Sequence, residues 1–542
     1  MILTIDLGTS VTKVVVWSDE GPVAVGRSPL VSNYTVDNRA EQDPTSWWPS
    51  VVAACDAARS SLDGGSDTPG HRARVFGDIG AIGFAAARQT FVPVAADATP
   101  LGRALLWSDR RAGDEAVSLA ASFDGGAGAD RDGGAGSGGA GAVRRRTGVV
   151  LDGGSVAAKI AWLERHEPER IKGARWLLTP RDLVAWRLTG EVATDHTMAS
   201  ASGLFEMSRS SGTGHDNAGD EEKLGPVVPG LADGVGDRLP ESRPSNTVIG
   251  GLLGAPAGEL GLTAGIPVVI GAGDRACEVL GTGASERWPM VSWGTTANVS
   301  VPVGRLGAPR TFPTDEAKTD ETDKAISEAT GEAMLVTRGA LGGWLLEGGL
   351  SAAGSLVEWL AGLAGLDVGV VVDRARSSLP GSGGVIVLPW FGGARAPWWR
   401  DTARGAVVGL SFDHDVGDMA RAVIESVAWD VNRCLESAFE TASGLTGPDG
   451  IVLAGGGANR APWTEILSSV TGLPTRRRRS GEAASAGAAM IVARAVGGQQ
   501  FDLDRLDPVE AETSPDPSMV ALYASLRPTV DAAAAAVIEL GR

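Results

Sequence analysis

The chain is 542 residues long, more than one ordinary core can use, which predicts two domains of roughly 200 to 280 residues each. Apolar residues make up 43% of it and charged residues 21%, a balance that describes a globular protein and excludes a disordered or membrane-embedded one. A formal net charge of −18 repels polyanions, so nucleic acid is disfavoured as the main partner and small-molecule chemistry is expected, with a locally basic nucleotide pocket still allowed.

The N-terminus runs straight into a strand-like segment, Ile2–Ile5, without a basic leader or cleavage site, and no apolar stretch reaches about 18 residues. A cytoplasmic location with no membrane partner is the expectation. Helix-like runs at Thr45–Arg59, Ser155–His166 and Val416–Phe439 alternate with strand-like runs such as Ala73–Phe84 and Gly265–Gly271, which predicts α/β layers. Two segments break the pattern. Asp124–Ala142 is almost all Gly, Ala and Asp, and Thr311–Glu332 is dominated by Asp, Glu, Lys and Thr, so both are expected to be surface loops. The formal GxGxxG in the first, at Gly134, Gly136 and Gly139, has no strand before it and no helix after it and is read as a chance match. Cys55, Cys277 and Cys434 are scattered and odd in number, which excludes a disulfide framework and a CxxC metal site and leaves small buried residues.

LTIDLGTSVTKVVVW (Leu3–Trp17) is echoed by PMVSWGTTANVSVPV (Pro289–Val303): a β-rich run, a Gly-Thr-Ser/Thr turn, and a second β-rich run. One such hairpin is ordinary. Two, each near the start of a domain-sized block, predict a duplicated fold with one phosphate-gripping turn per half. The boundary falls near Gly283–Trp288, giving domains over 1–284 and 285–500 and an extension over 501–542 whose Ala-rich helix, Pro517–Leu540, packs back on the second domain.

A triphosphate needs backbone N–H groups and hydroxyls aimed into a concave turn, with a cation nearby. Asp6-Leu7-Gly8-Thr9-Ser10 and Lys13 supply these: Thr9 and Ser10 as donors at Gly8, Lys13 for the γ-phosphate, and Asp6 for Mg²⁺ through water. An ordinary hairpin with an exposed lysine is the plain alternative, and the second turn, Gly294-Thr295-Thr296, weighs against it. There is no GxxxxGK[ST], so this is not a P-loop enzyme. Gly455-Gly456-Gly457-Ala458-Asn459 follows the apolar run Ile451–Ala454 and precedes a helix starting near Pro462. Its glycines leave room for a flat adenosine, which makes Gly456, Gly457 and Asn459 nucleotide-site candidates.

Moving a phosphoryl group to an alcohol requires a base for the alcohol proton. GIPVVIGAG (Gly265–Gly273) reads as an apolar strand ending in Asp274, at the carboxyl edge where open α/β sheets bind ligands. Asp is also a frequent N-cap at such a place, and one residue can serve both roles.

These segments, in this order, resemble the xylulokinase-like FGGY carbohydrate kinases over most of the chain, from Ile2 to about Val496. The carriers are DLGTS with Lys13, EQDP and Trp47–Trp48, LLWSDRR (Leu105–Arg111), GAGD (Gly271–Asp274), SWGTTA (Ser292–Ala297), ARGAVVGL (Ala403–Leu410), GGGANRAPW (Gly455–Trp463) and GEAASAGAA (Gly481–Ala489). The resemblance implies two actin-like, ribonuclease-H-like domains with ATP in the cleft between them. It also implies sugar bound mainly by the first domain, Mg²⁺ as companion of ATP, and Asp274 as proton acceptor. Arg88-Gln89 falls where the family places substrate contacts; xylulokinases usually carry Met-His there and glycerol kinases Arg-Glu. Arg275 stands where many members carry an amide. These departures leave the acceptor open between a pentulose and glycerol or another polyol. Family members are often dimers, so a homodimer is compatible with the resemblance.

The run Arg476–Arg479 reads as an exposed, solvated turn, and Trp390, Trp398 and Trp399 read as packing around a loop. None of the five histidines has a metal spacing. A non-catalytic sugar or nucleotide sensor and an actin-like ATPase share the scaffold; sugar-dependent turnover separates both from a kinase.

Overall fold

The computed structural model describes residues 1–35, 37–62, 74–124, 143–144, 146–205, 231, 234–304, 334–400, 402–441, 446–459, 461–497 and 501–540. Two compact units are present. The first comprises Met1–Gly281, Thr337–Gly342 and Glu482–Leu506; the second comprises Thr282–Val336, Gly343–Gly481 and Asp507–Arg542. Apart from Asp124, the two expected surface loops lie outside the described residues.

The first unit is built on β1 (Ile2–Leu7), β2 (Val11–Ser18), β3 (Gly21–Pro29), β4 (Ala81–Ala86), β5 (Val248–Gly251), β6 (Pro267–Val269) and β7 (Ala272–Gly273). They form one sheet in the order β5-β6-β4-β1-β2-β3, with β7 also on β4. β1, β2 and β3 are an antiparallel meander, while β4 runs parallel to β1, and β6 and β7 run parallel to β4. Every residue of β4, AIGFAA, is buried, as a parallel strand covered on both faces requires. The strand-like run read from Ala73 is corrected here. Residues 74–77 make a helical turn, closed by the Asp78 N–H on the Arg74 carbonyl at 2.9 Å, and the strand begins only at Ala81.

The helix Trp47–Ser61 packs against β2 and β3, and buries Trp47, Val51, Ala54, Cys55 and Ala58 in the same core as Leu3, Ile5 and Phe84. The helix Ala483–Ala495 returns to this unit and covers β1 and β4. Its Ser485 hydroxyl takes the Trp17 indole N–H at 2.8 Å and shares a 2.6 Å hydrogen bond with Thr4.

The second sheet repeats the plan with β8 (Met290–Trp293), β9 (Ala297–Val303), β10 (Leu335–Arg338), β11 (Trp344–Leu350), β12 (Ile451–Ala454), β13 (Thr475–Arg478) and β14 (Val509–Thr513), all in the second unit except Thr337 and Arg338 of β10. Their order is β10-β11-β9-β8-β12-β13-β14. The hairpin β8–β9 extends antiparallel into β11, β12 lies parallel to β8, β13 lies parallel to β12, and β14 closes the edge antiparallel. Apart from β10, which has no counterpart, this matches β1, β2, β3, β4, β6 and β5 strand for strand, so the repeated hairpin seen in the sequence marks a repeated sheet.

Arg476–Arg479 is not a solvated turn: its first three arginines lie in β13. Arg476 pairs with Glu512 at 2.8 Å and stacks on Trp288, Arg477 pairs with Glu510 at 2.8 Å, and Arg478 donates to the carbonyls of Thr282 and Asp507. Pairing with β14, some 36 residues away for Arg476, is what a local reading of the run misses. Trp390 is buried and gives its indole N–H to Asp430 at 3.0 Å, with Trp398 edge-on beside it, so both are packing residues. All three cysteines are buried and in no disulfide. Among the described residues no single helix is long and apolar enough to cross a membrane.

Candidate active site

In the first unit, the β1–β2 register places Asp6 directly opposite Lys13. Between them Gly8-Thr9-Ser10 makes the turn, closed by the Gly8 N–H on the Val11 carbonyl at 3.2 Å. Three distant side chains hold it. Gln42, itself fixed by the Trp47 indole at 2.6 Å, donates to the Thr9 carbonyl at 2.8 Å; Ser32 donates to the same carbonyl; and the Trp107 indole N–H reaches Thr9 Oγ1 at 3.0 Å. Gln42 of EQDP and Trp107 of LLWSDRR therefore shape the Thr9 turn, and Ser10 is left exposed at its tip.

Lys13 does not stand alone. Its ammonium lies 2.7 Å from Glu482, whose other oxygen takes Arg27, so Glu482 holds two cations just ahead of the Ala483–Ala495 helix. Asp6 keeps some surface open to solvent but is ringed by protein. Lost hydration lifts its carboxyl from 3.8 to about 7, against the pull of Lys13 and with added repulsion from Asp274, Glu278 and Glu482. A divalent cation would relieve that repulsion. Among the described residues no group of three or more His, Cys, Asp or Glu could hold a metal.

Asp274 follows β7 as the first residue of the helix Asp274–Thr282. Its Oδ1 accepts the N–H of Arg275, the next residue, at 2.6 Å; an N-cap would take the N–H two or three residues on. The side chain is 39% exposed and so reaches solvent, and the Arg88 Nε lies 3.7 Å from the same oxygen. Its backbone is fixed from behind. Gly271 has φ +70°, and a Cβ there would stand 2.0 Å from the Phe84 carbonyl, so the chain can pass β4 this closely only as glycine. Gly273 gives its N–H to Thr197 Oγ1 at 2.8 Å, and Thr197 bonds Asp195 at 2.7 Å. Asp195 is in turn paired at 2.6 Å with Arg181, which is fully buried and also reaches the Gly271 carbonyl.

The remaining predicted acceptor contacts divide. Arg88, at the end of β4, stands beside Asp274. Gln89 adopts φ +61°, and its amide donates to the Ala201 carbonyl at 2.9 Å. Arg275 turns to Glu278 at 2.5 Å, within its own helix. Asp195, Arg181, Thr197, Glu482 and Trp107 were missed as site residues by sequence reasoning. For Trp107 and Glu482 the signal was present, since both lie in the quoted motifs LLWSDRR and GEAASAGAA.

In the second unit Gly294 and Thr295 are exposed. The turn is closed by the Gly294 N–H on the Thr296 carbonyl at 2.9 Å. The helix Gly354–Ala364 docks its first turn there, with Gly354 N–H on the Gly294 carbonyl at 2.9 Å and Ser355 N–H and hydroxyl on the Thr295 carbonyl. Gly455 has φ +81°, and a Cβ would meet the Trp293 carbonyl at 2.5 Å; at Gly456 a Cβ would meet nothing within 4 Å. At Gly457 a Cβ would stand 2.9 Å from Trp293 Cδ1, so the strand-to-helix turn is open at Gly456 and closed at Gly457. The side chain of Asn459 lies outside the described residues.

The profile of the N-terminal domain of the FGGY family of carbohydrate kinases matches residues 1–281, and that of its C-terminal domain matches residues 315–496. The chain is similar to a xylulose kinase of Escherichia coli, 27% identical over 539 residues and covering 98% of this chain and 97% of that protein. A glycerol kinase of Rhodospirillum rubrum is 28% identical over 529 residues, 93% and 94% of the two chains. The solved xylulose kinase of Rhodospirillum rubrum superposes with a TM-score of 0.76 at 23% identity, covering 99% of each chain, which shows the shared two-domain fold.

Proposed function

We propose a specific reaction on the premise that the chain belongs to the FGGY family of carbohydrate kinases: transfer of the γ-phosphoryl of MgATP to a hydroxyl of a pentulose, D-xylulose or a close relative. The observation that carries this reading is the Asp274 carboxylate, open to solvent, beside Arg88 and on a backbone pinned by Thr197 and Gly271.

Asp274 takes the hydroxyl proton as the new O–P bond forms and the bond between the γ-phosphorus and the ADP oxygen breaks. Arg88 and Gln89 contact the acceptor, with Arg275 at the margin through its pair with Glu278. Thr9, Ser10 and the Gly8 turn donate to phosphate oxygens, and Lys13 exchanges Glu482 for the γ-phosphate. Mg²⁺, when bound, would neutralise phosphate charge, and Asp6 would hold it through water. Gly294, Thr295 and Thr296 serve the phosphates from the second unit, and Gly456, Gly457 and Asn459 the adenosine. We place the enzyme in the cytoplasm.

The xylulose kinase relative matches nearly end to end, which favours a ketose. An arginine at position 88 and the glycerol kinase relative support glycerol or another polyol as the second reading. Coupled ADP release across D-xylulose, D-ribulose, L-ribulose, glycerol and erythritol decides between them. A pentulose is expected to give the highest kcat/KM, and a polyol in first place would overturn the ketose assignment.

A further inference from the structure

One buried amine has no role in the chemistry above. Lys159 lies in the helix Val156–His166, VAAKIAWLERH, whose first turn is capped by Ser155, and its side chain is fully buried beside Ile160 and Leu163. An ammonium in such surroundings is costly, and burial pulls the Lys159 amine down to about 7, whereas an aliphatic side chain would pack there without the cost. The acids whose charge bears on it, Asp109 and Asp152, are each already paired with an arginine, Arg111 and Arg110 respectively. What Lys159 touches instead is backbone: Nζ donates to the Gln89 carbonyl at 2.9 Å and to the Leu106 carbonyl at 2.9 Å.

The first of those carbonyls belongs to a strained peptide. Gln89 has φ +61°, a conformation a side-chain-bearing residue keeps only when its surroundings over-determine it. Two hydrogen bonds do so here: Lys159 Nζ donates to its backbone carbonyl, and its side-chain Nε2 donates to the Ala201 carbonyl. The residue before it is Arg88, the group beside Asp274. The second carbonyl belongs to the segment whose Trp107 N–H bonds Thr90 Oγ1 at 3.1 Å, one residue past Gln89. The lysine thus holds both sides of the Arg88–Thr90 corner.

We propose that Lys159 is a positioning residue for the phosphoryl acceptor: from beneath the corner it fixes the Gln89 peptide and, through it, the direction in which Arg88 and Gln89 meet the sugar. This rests on the acceptor role given above to Arg88 and Gln89.

The test compares Lys159→Met, which keeps length and removes the donors, and Lys159→Arg, which keeps charge and donors, with Arg88→Ala measured alongside on the full-length enzyme. Loss of both hydrogen bonds to the Gln89 and Leu106 carbonyls predicts a rise of about tenfold in sugar KM for Lys159→Met, an ATP KM within about twofold of wild type, and partial recovery in Lys159→Arg. An unchanged sugar KM in Lys159→Met, or equal rises in both KM values, would overturn the proposal. Failure of both lysine variants to fold would likewise overturn it, by assigning the lysine to the core alone. If Arg88→Ala leaves sugar KM unchanged, the acceptor corner itself is wrong. If Arg88→Ala raises it and Lys159→Met does not, only the role of Lys159 falls.

Discussion

Thr197 Oγ1 accepts the backbone N–H of Gly273 at 2.8 Å, one residue before the carboxylate assigned as base. The threonine hydroxyl is itself tied to Asp195 at 2.7 Å, and Asp195 to the buried Arg181, so a chain of charge-assisted bonds ends on the peptide that aims Asp274. Thr197→Val removes that acceptor at nearly constant volume. The expected result is a loss of about 1–3 kcal/mol of stability, read by denaturant unfolding, and a fall of about tenfold in kcat with sugar KM little changed.

Asp195→Ala is harsher. It strands the Arg181 guanidinium, which is fully buried, with Asp182 as its remaining acid. Breaking a buried pair from one side costs about 3–5 kcal/mol, so the unfolding midpoint should drop well below that of Thr197→Val. A variant as stable as wild type would contradict the pairing.

Asp6 gives a pH test. Its folded carboxyl is raised from 3.8 to about 7, so the folded state holds this proton more tightly than the unfolded chain. The stability it contributes is full below about pH 4 and is lost as pH rises toward about 7 and beyond. Asp6→Asn should therefore stabilise the ligand-free protein more at pH 8 than at pH 5, read as thermal midpoints, while weakening MgATP binding. Equal shifts at both pH values would contradict the raised carboxyl.

The glycines of the second unit separate fold from ligand. Gly455→Ala puts a Cβ 2.5 Å from the Trp293 carbonyl at φ +81° and should destabilise by more than about 1 kcal/mol. Gly456→Ala meets nothing within 4 Å, so it should unfold like wild type yet raise ATP KM if the opening receives the adenosine. An unchanged ATP KM would remove Gly456 from the nucleotide site.

Local chemistry carried much of this into the sequence. A Gly-Thr turn between two β-rich runs is a short-range signal, and its repetition gave the duplicated sheet; likewise an apolar strand ending in Gly-Ala-Gly-Asp located Asp274. Long-range pairing was not legible. Glu482 is far along the chain from Lys13, the partner of Arg476 is 36 residues away, and the carbonyls that Lys159 serves are 70 and 53 residues distant. A lysine inside the apolar run VAAKIAWL was a sign that some polar group must meet it, but only the fold says which. The helical turn at residues 74–77 escaped for the opposite reason, since four residues carry no period.

The most direct measurement is sugar-dependent ADP release by the wild-type chain and by Asp274→Asn, at saturating MgATP and with the best sugar of the panel. Loss of a general base predicts a fall of about a hundredfold to ten-thousandfold in kcat, with ATP binding retained. Turnover by Asp274→Asn at the wild-type rate would contradict the assignment of Asp274 and the mechanism built on it.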